Sequence, residues 1–168
     1  MTTPAKTRKS PLERYNAARA NLLLVVVLTA VNLILLVLNS DMQFLFSASF
    51  PSLAYMIGDA LSAETGIALF RVGALLLGAG CIGLYLLCWL CSKKLRGFMI
   101  AALVLFALDC LAFLGMLVLV EWDVSMIIDA AFHAWVLWAL ISGVVAMAQM
   151  HGQPQEVAAP AQEPPQQP

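Results

Sequence analysis

Three ionisable side chains stand inside apolar stretches of the sequence: Asp109, Asp129 and His133. A carboxyl group beside an imidazole can pass protons near neutral pH, since the ordinary histidine pKa lies near 6.5 and burial retunes a carboxyl group. The same side chains can instead hydrogen-bond between helices and fix their packing. Haem ligation by two histidines fails on distance, because at about 1.5 Å per residue His151 stands about 27 Å from His133 along one helix. Cys88 and Cys91 form a CxxC, the spacing of redox and zinc sites. They fall at the C-terminal end of an apolar segment, where the helix dipole disfavours a thiolate, and two cysteines supply only half a zinc ligand set. Cys81 and Cys110 read as small apolar fillers. No cofactor or metal is expected.

The elements that must position these groups follow from composition. Of 168 residues 62% are hydrophobic and 11% charged, against roughly a quarter charged in soluble domains. The formal charge of -1 leaves no basic surplus for a nucleic-acid backbone. Crossing about 30 Å of hydrocarbon takes about 20 apolar residues, and four stretches qualify, at 20–38, 72–92, 97–120 and 124–148. The expected fold is all-α: a four-transmembrane-helix bundle. Asp109 and His133 then lie at similar depth, about 16 Å and 13 Å below the ends of their spans. Asp129 shares a helix face with His133 at i, i+4 and is near enough to the second span's mouth to reach Arg71. Asn21, Asn32 and Asn39 return to nearly one azimuth of the first span as a polar seam. Asp109, Asp129, His133, Asn32 and Arg71 are therefore the candidate intramembrane polar cluster.

Lysine and arginine collect on the cytoplasmic side of membrane proteins. Lys6, Arg8, Lys9, Arg14 and Arg19 precede the first span, and Lys93, Lys94 and Arg96 fill the second loop. Both termini are accordingly placed in the cytoplasm. A cleaved leader is the rival reading of the N-terminus, but the apolar run from Leu22 to Leu38 exceeds the usual length of a leader core. Ser10, Pro11 and Glu13 read as a capping box with proline at the first helical position, so the first helix should start within the basic segment 1–19.

The first loop carries Phe44, Leu45, Phe46 and Phe50. After Pro51, the residues Leu53, Met56, Ile57, Ala60 and Leu61 form a helical apolar stripe. A short amphipathic helix over 51–64, lying on the outer membrane surface or capping the bundle, is expected. The segment 151–168, rich in proline and glutamine, reads as a disordered cytoplasmic tail. Ala74 with Gly78, Ala79 with Gly83, and Ala139 with Gly143 are small-xxx-small pairs that let backbones approach closely. They leave room for a homo-oligomer.

The stretch YNAARANLLLVVVLTAVNLILLVLNSDMQFLFSASFP, from Tyr15 to Pro51, resembles the start of a group of small, uncharacterised four-span membrane proteins of Gram-positive anaerobic bacteria. The resemblance covers about a fifth of the chain and implies a bacterial multi-pass membrane protein with no activity, cofactor or catalytic residue attached. The functional expectation is a non-enzymatic accessory or scaffold protein, with the lipid bilayer and other membrane proteins as partners. The alternative is a small proton- or cation-coupled transporter acting as an oligomer through Asp109 and His133. A hydrated cavity joining Asp109, His133 and Asn32 would favour transport; a dry, satisfied core would favour the scaffold.

Overall fold

The computed structural model describes residues 9–38, 47–119 and 124–152, and among them every regular element is helical. In chain order these are α1 (Pro11–Val37), α2 (Ser49–Thr65), α3 (Leu69–Cys91), α4 (Gly97–Leu119) and α5 (Val124–Gly152). All but α2 are long and apolar enough to cross a membrane. Asn39, the Phe44–Phe46 run and the tail from 153 onward lie outside the described residues.

α1 begins where its capping chemistry places it. The Glu13 backbone N–H donates to Ser10 Oγ at 3.2 Å, the Ser10 N–H donates to Glu13 Oε2 at 2.8 Å, and Pro11 takes the first position, which has no backbone donor to lose. α1 packs beside α5 and α3, and α4 closes the ring against the same two helices. Successive long helices run in opposite directions. Arg14, Arg19, Lys93, Lys94 and Arg96 thus share one end of the bundle, the basic end, and Asp59 and Glu64 lie at the other, the acidic end.

Two glycines set the closest helix approaches. A side chain at Gly143 would meet the Cβ of Ala18, which fixes the α1–α5 crossing. One at Gly58 would meet Ala74 Cβ and the Phe70 carbonyl, which fixes α2 against α3. Of the small-residue pairs, Ala74 and Gly78 therefore face α2, whereas Gly83 has nothing within 4 Å and faces outward.

The basic half is apolar and closely packed around Leu22, Val25, Met99, Ala102, Phe106, Val136 and Leu140, each under 2% exposed. The basic side chains at its rim satisfy the ends of neighbouring helices. Arg19 donates to Ser92 Oγ at 2.9 Å and to the Trp89 carbonyl at 3.2 Å, and its guanidinium lies over the Trp89 ring. Tyr15 donates its hydroxyl to the Ser92 carbonyl at 2.7 Å. A cation at a helix C-terminus meets the negative end of the dipole and the free carbonyls there.

The helix expected at 51–64 exists, but it neither lies on a surface nor caps the bundle. α2 runs antiparallel to α3, with Pro51 against Gly78 and Gly58 against Ala74. Its N-terminus is thereby carried deep between α1, α3 and α4. At about 1.5 Å per residue Gly78 is about 14 Å inside the end of α3, so α2 covers only the acidic half. The amphipathic stripe suited a surface helix equally well. The difference comes from the small residues Gly58, Ala74 and Gly78, which let α2 slide down the side of α3. Gly66 ends α2 in the left-handed region at φ 71°, donates its N–H to the Ser62 carbonyl, and turns the chain into α3.

Candidate functional site

The first turn of α2 presents backbone N–H groups with no helical acceptor, halfway along the bundle. The carboxylate of Asp109, near the middle of α4, receives them. The Phe50 N–H donates to Oδ1 at 2.7 Å and the Ser49 N–H to Oδ2 at 3.0 Å. Just before the helix, the Ala48 N–H donates to Thr29 Oγ1 of α1 at 2.9 Å. Asn32, one turn further along α1, donates from Nδ2 to Ser47 Oγ at 3.0 Å and to Ser52 Oγ at 3.4 Å. Side chains of two neighbouring helices therefore satisfy the start of α2. An unsatisfied N–H at this depth would cost several kcal/mol in hydrocarbon.

His133 of α5 completes the cluster. Its Nε2 lies 3.3 Å from Asp109 Oδ2 and 3.3 Å from Ser49 Oγ. Its Nδ1 lies 2.9 Å from the Asp129 carbonyl and 3.3 Å from Asp129 Oδ1. Nδ1 thus faces two oxygens of Asp129 and donates there, whereas Nε2 faces the Asp109 carboxyl and the Ser49 hydroxyl, which can accept or donate. Its ring stacks on Phe113 at 4.5 Å and on Phe106 at 5.6 Å, with Phe132 edge-on, and aromatic faces favour a cation. Asp109 and His133 are each 3% exposed. Asp129 is more open. Nδ1 lies closer to the carbonyl, and Asp129 Oδ1 is buried without a hydrogen-bond partner.

A cleft of about 160 Å³ leads to this cluster from the acidic end. Asn32, Ser47, Ser49, Ser52 and Asp129 supply its polar wall, and Met56, Phe113, Met116 and Leu117 its apolar one. Its wall includes Ser49, Phe113 and Asp129, the residues that touch His133. Beyond them, toward the basic end, lies the apolar packing around Phe106 and Val136.

Of the five residues singled out from sequence, Asp109 and Asp129 each meet His133, and Asn32, bonded to Ser47 and Ser52, shares the wall of one cleft with Asp129. Arg71 does not reach Asp129. It pairs with Asp59 of α2 near the acidic end, because the α2–α3 hairpin places that carboxylate beside it. Sequence reading missed Thr29, Ser47, Ser49 and Ser52, whose short hydroxyl side chains are indistinguishable from helix or loop filler until the start of α2 is known to be buried.

The arrangement narrows the chemistry. Ser49 Oγ, His133 and Asp129 have the connectivity of a nucleophilic triad. The backbone donors at Ser49 and Phe50 that would stabilise an oxyanion already hold Asp109, however, and His133 is bound on both sides. The two carboxylates stand against opposite nitrogens of one ring, so they do not converge on a single ion, and among the described residues no group of three His, Cys, Asp or Glu is arranged to hold a metal. Cys88 and Cys91 are free thiols. What the cluster can do is hold charge: a paired carboxylate and imidazole in the interior, and a second carboxylate at the base of an accessible cleft. No family model, curated protein or solved structure matches the chain, so this chemistry is read from the site's own atoms.

Proposed function

We propose that the protein is a multi-pass integral membrane protein that works as a small proton- or cation-coupled transporter, with its polar cleft open at the acidic end. The observation that carries this reading is the start of α2 held by Asp109 at mid-depth, below a cleft that reaches Asp129. Half-length helices ending near the bilayer midplane build the sites of many transporters, because their free backbone groups and dipole handle charge where lipid cannot. Ionisable groups are costly at that depth, and a use in translocation accounts for their presence. The four-span bundle has both termini in the cytoplasm, on the strength of the Lys and Arg of the basic end. Leu76, Leu108 and Val118, 68%, 58% and 84% exposed, face acyl chains. The resemblance at Tyr15–Pro51 adds a bacterial setting, and the outward Ala79–Gly83 face leaves room for an oligomer.

The test is flux in vesicles reconstituted with the purified chain. Asp109→Asn should abolish proton- or cation-driven flux while the chain remains folded in detergent. Flux equal to that of the unaltered chain would remove the transport reading. Monodispersity in buffer without surfactant would remove the membrane reading as well. The second reading is an accessory or scaffold protein that binds other membrane components, and the dry basic half favours it. It predicts no flux from either chain and co-purification with a membrane partner.

A further inference from the structure

Two grooves lie one after the other along the α1–α5 contact. The one at the basic end, about 580 Å³, is lined by Lys9, Pro11 and Arg14 on the α1 side and by Trp138, Ser142 and Gln149 on α5. The second, about 350 Å³ and apolar throughout, is lined by Leu24 and Leu28 of α1 and by Ile128, Ala131, Phe132 and Trp135 of α5. Trp135 and Trp138 stand one turn apart on one helix face, so their rings link the two. From Arg14 to Leu28 the path is about 21 Å, against about 15 Å for the hydrocarbon of one leaflet.

Charge separates the two ends. Arg14 donates to Ser142 Oγ at 3.2 Å, to the Ser142 carbonyl at 3.5 Å and to Gln149 Oε1 at 3.2 Å. All are neutral oxygens. Its nearest acidic neighbour in sequence, Glu13, is turned back to cap Ser10. Among the described residues the charged pairs are Arg71 with Asp59 and His133 with its two aspartates, so neither Arg14 nor Lys9 has a carboxylate. Trp138, 67% exposed, and Trp135, 45% exposed, put large rings on the outer face at the boundary between the cationic and apolar segments. Tryptophan favours such a boundary in membranes.

We propose that this face is a binding site for one anionic phospholipid. Its phosphate lies at Lys9 and Arg14, and one acyl chain follows Trp138, Trp135, Leu24 and Leu28. Basic recesses between helices at the headgroup level select acidic lipids through charge, and the apolar continuation distinguishes a lipid from a free anion. The site lies outside the polar cluster, so it rests on the membrane reading but is independent of transport. A chain without flux can still carry it.

The experiment is native mass spectrometry of the full chain in mild neutral detergent, titrated with phosphatidylglycerol and with phosphatidylcholine of identical acyl chains, and with inorganic phosphate in a separate arm. One phosphatidylglycerol should be retained at about thirtyfold lower lipid concentration than phosphatidylcholine, two cations giving roughly this preference. Inorganic phosphate should not displace it. Arg14→Gln should lower phosphatidylglycerol occupancy about fivefold and leave phosphatidylcholine unchanged. Lys9→Gln, at an exposed residue ahead of α1, should act the same way and keeps the test decisive if Arg14→Gln fails to fold. Equal retention of the two lipids, displacement by phosphate, or unchanged occupancy in Lys9→Gln would each overturn the proposal.

Discussion

The two halves of the bundle are held together by different means. Toward the basic end, α1 and α5 touch backbone to backbone at Ala18 and Gly143, over an interior of Leu22, Met99, Phe106 and Leu140. Toward the acidic end, the interior is filled by a half-length helix whose start is fixed by backbone hydrogen bonds donated to Thr29 and Asp109 and by one that Asn32 donates to Ser47. Packing in the first half is additive and forgiving, because many small contacts share the load. The second half depends on a few polar bonds in a medium that offers no replacement for them. One region rests on many apolar contacts, whereas the other rests on a handful of polar bonds around one helix start.

Removing the polar keystone should have the largest effect. Asp109→Leu strands two backbone donors and the Nε2 side of a buried histidine, and should cost about 3–5 kcal/mol, read as a loss of reversible unfolding free energy in mixed micelles. A loss under 1 kcal/mol would erase the distinction between the halves. Gly143→Leu, which forces α1 away at Ala18, should cost about 1–3 kcal/mol by overpacking. Gly83→Leu, on the open face of α3, should cost nothing in the same assay. Next comes Tyr15→Phe, which removes the bond to the Ser92 carbonyl and should cost about 1 kcal/mol without altering flux, separating the basic rim from the site. Smallest is Arg71→Gln. Its pair with Asp59 is 53% and 40% exposed, and exposed pairs contribute at most about 1 kcal/mol, so both unfolding and flux should stay close to those of the parent chain.

The long helices were legible because their apolar runs and the Ser10–Glu13 capping box are local signals, complete within a few residues of sequence. The common depth of Asp109 and His133 was legible too, since helical rise is constant and each span has a visible end. The insertion of α2 was not. It depends on Gly58 meeting Ala74 and Pro51 meeting Gly78, a match between two surfaces that neither segment announces alone. Once that match was unseen, Ser47, Ser49 and Ser52 looked like ordinary loop residues. The pairing of Arg71 with Asp59 rather than Asp129 has the same origin: counting along helices gives depth but not which neighbour lies across the gap, and the hairpin supplies Asp59.

The tight turn at Gly66 makes α2 and α3 a lever with its fulcrum at the acidic surface. α2 is about 25 Å long, so leaning α3 by about 5° swings the far tip by about 2 Å. That travel is comparable to the reach of a hydrogen bond, so the bonds at Asp109 hold the tilt of the whole hairpin to within a few degrees.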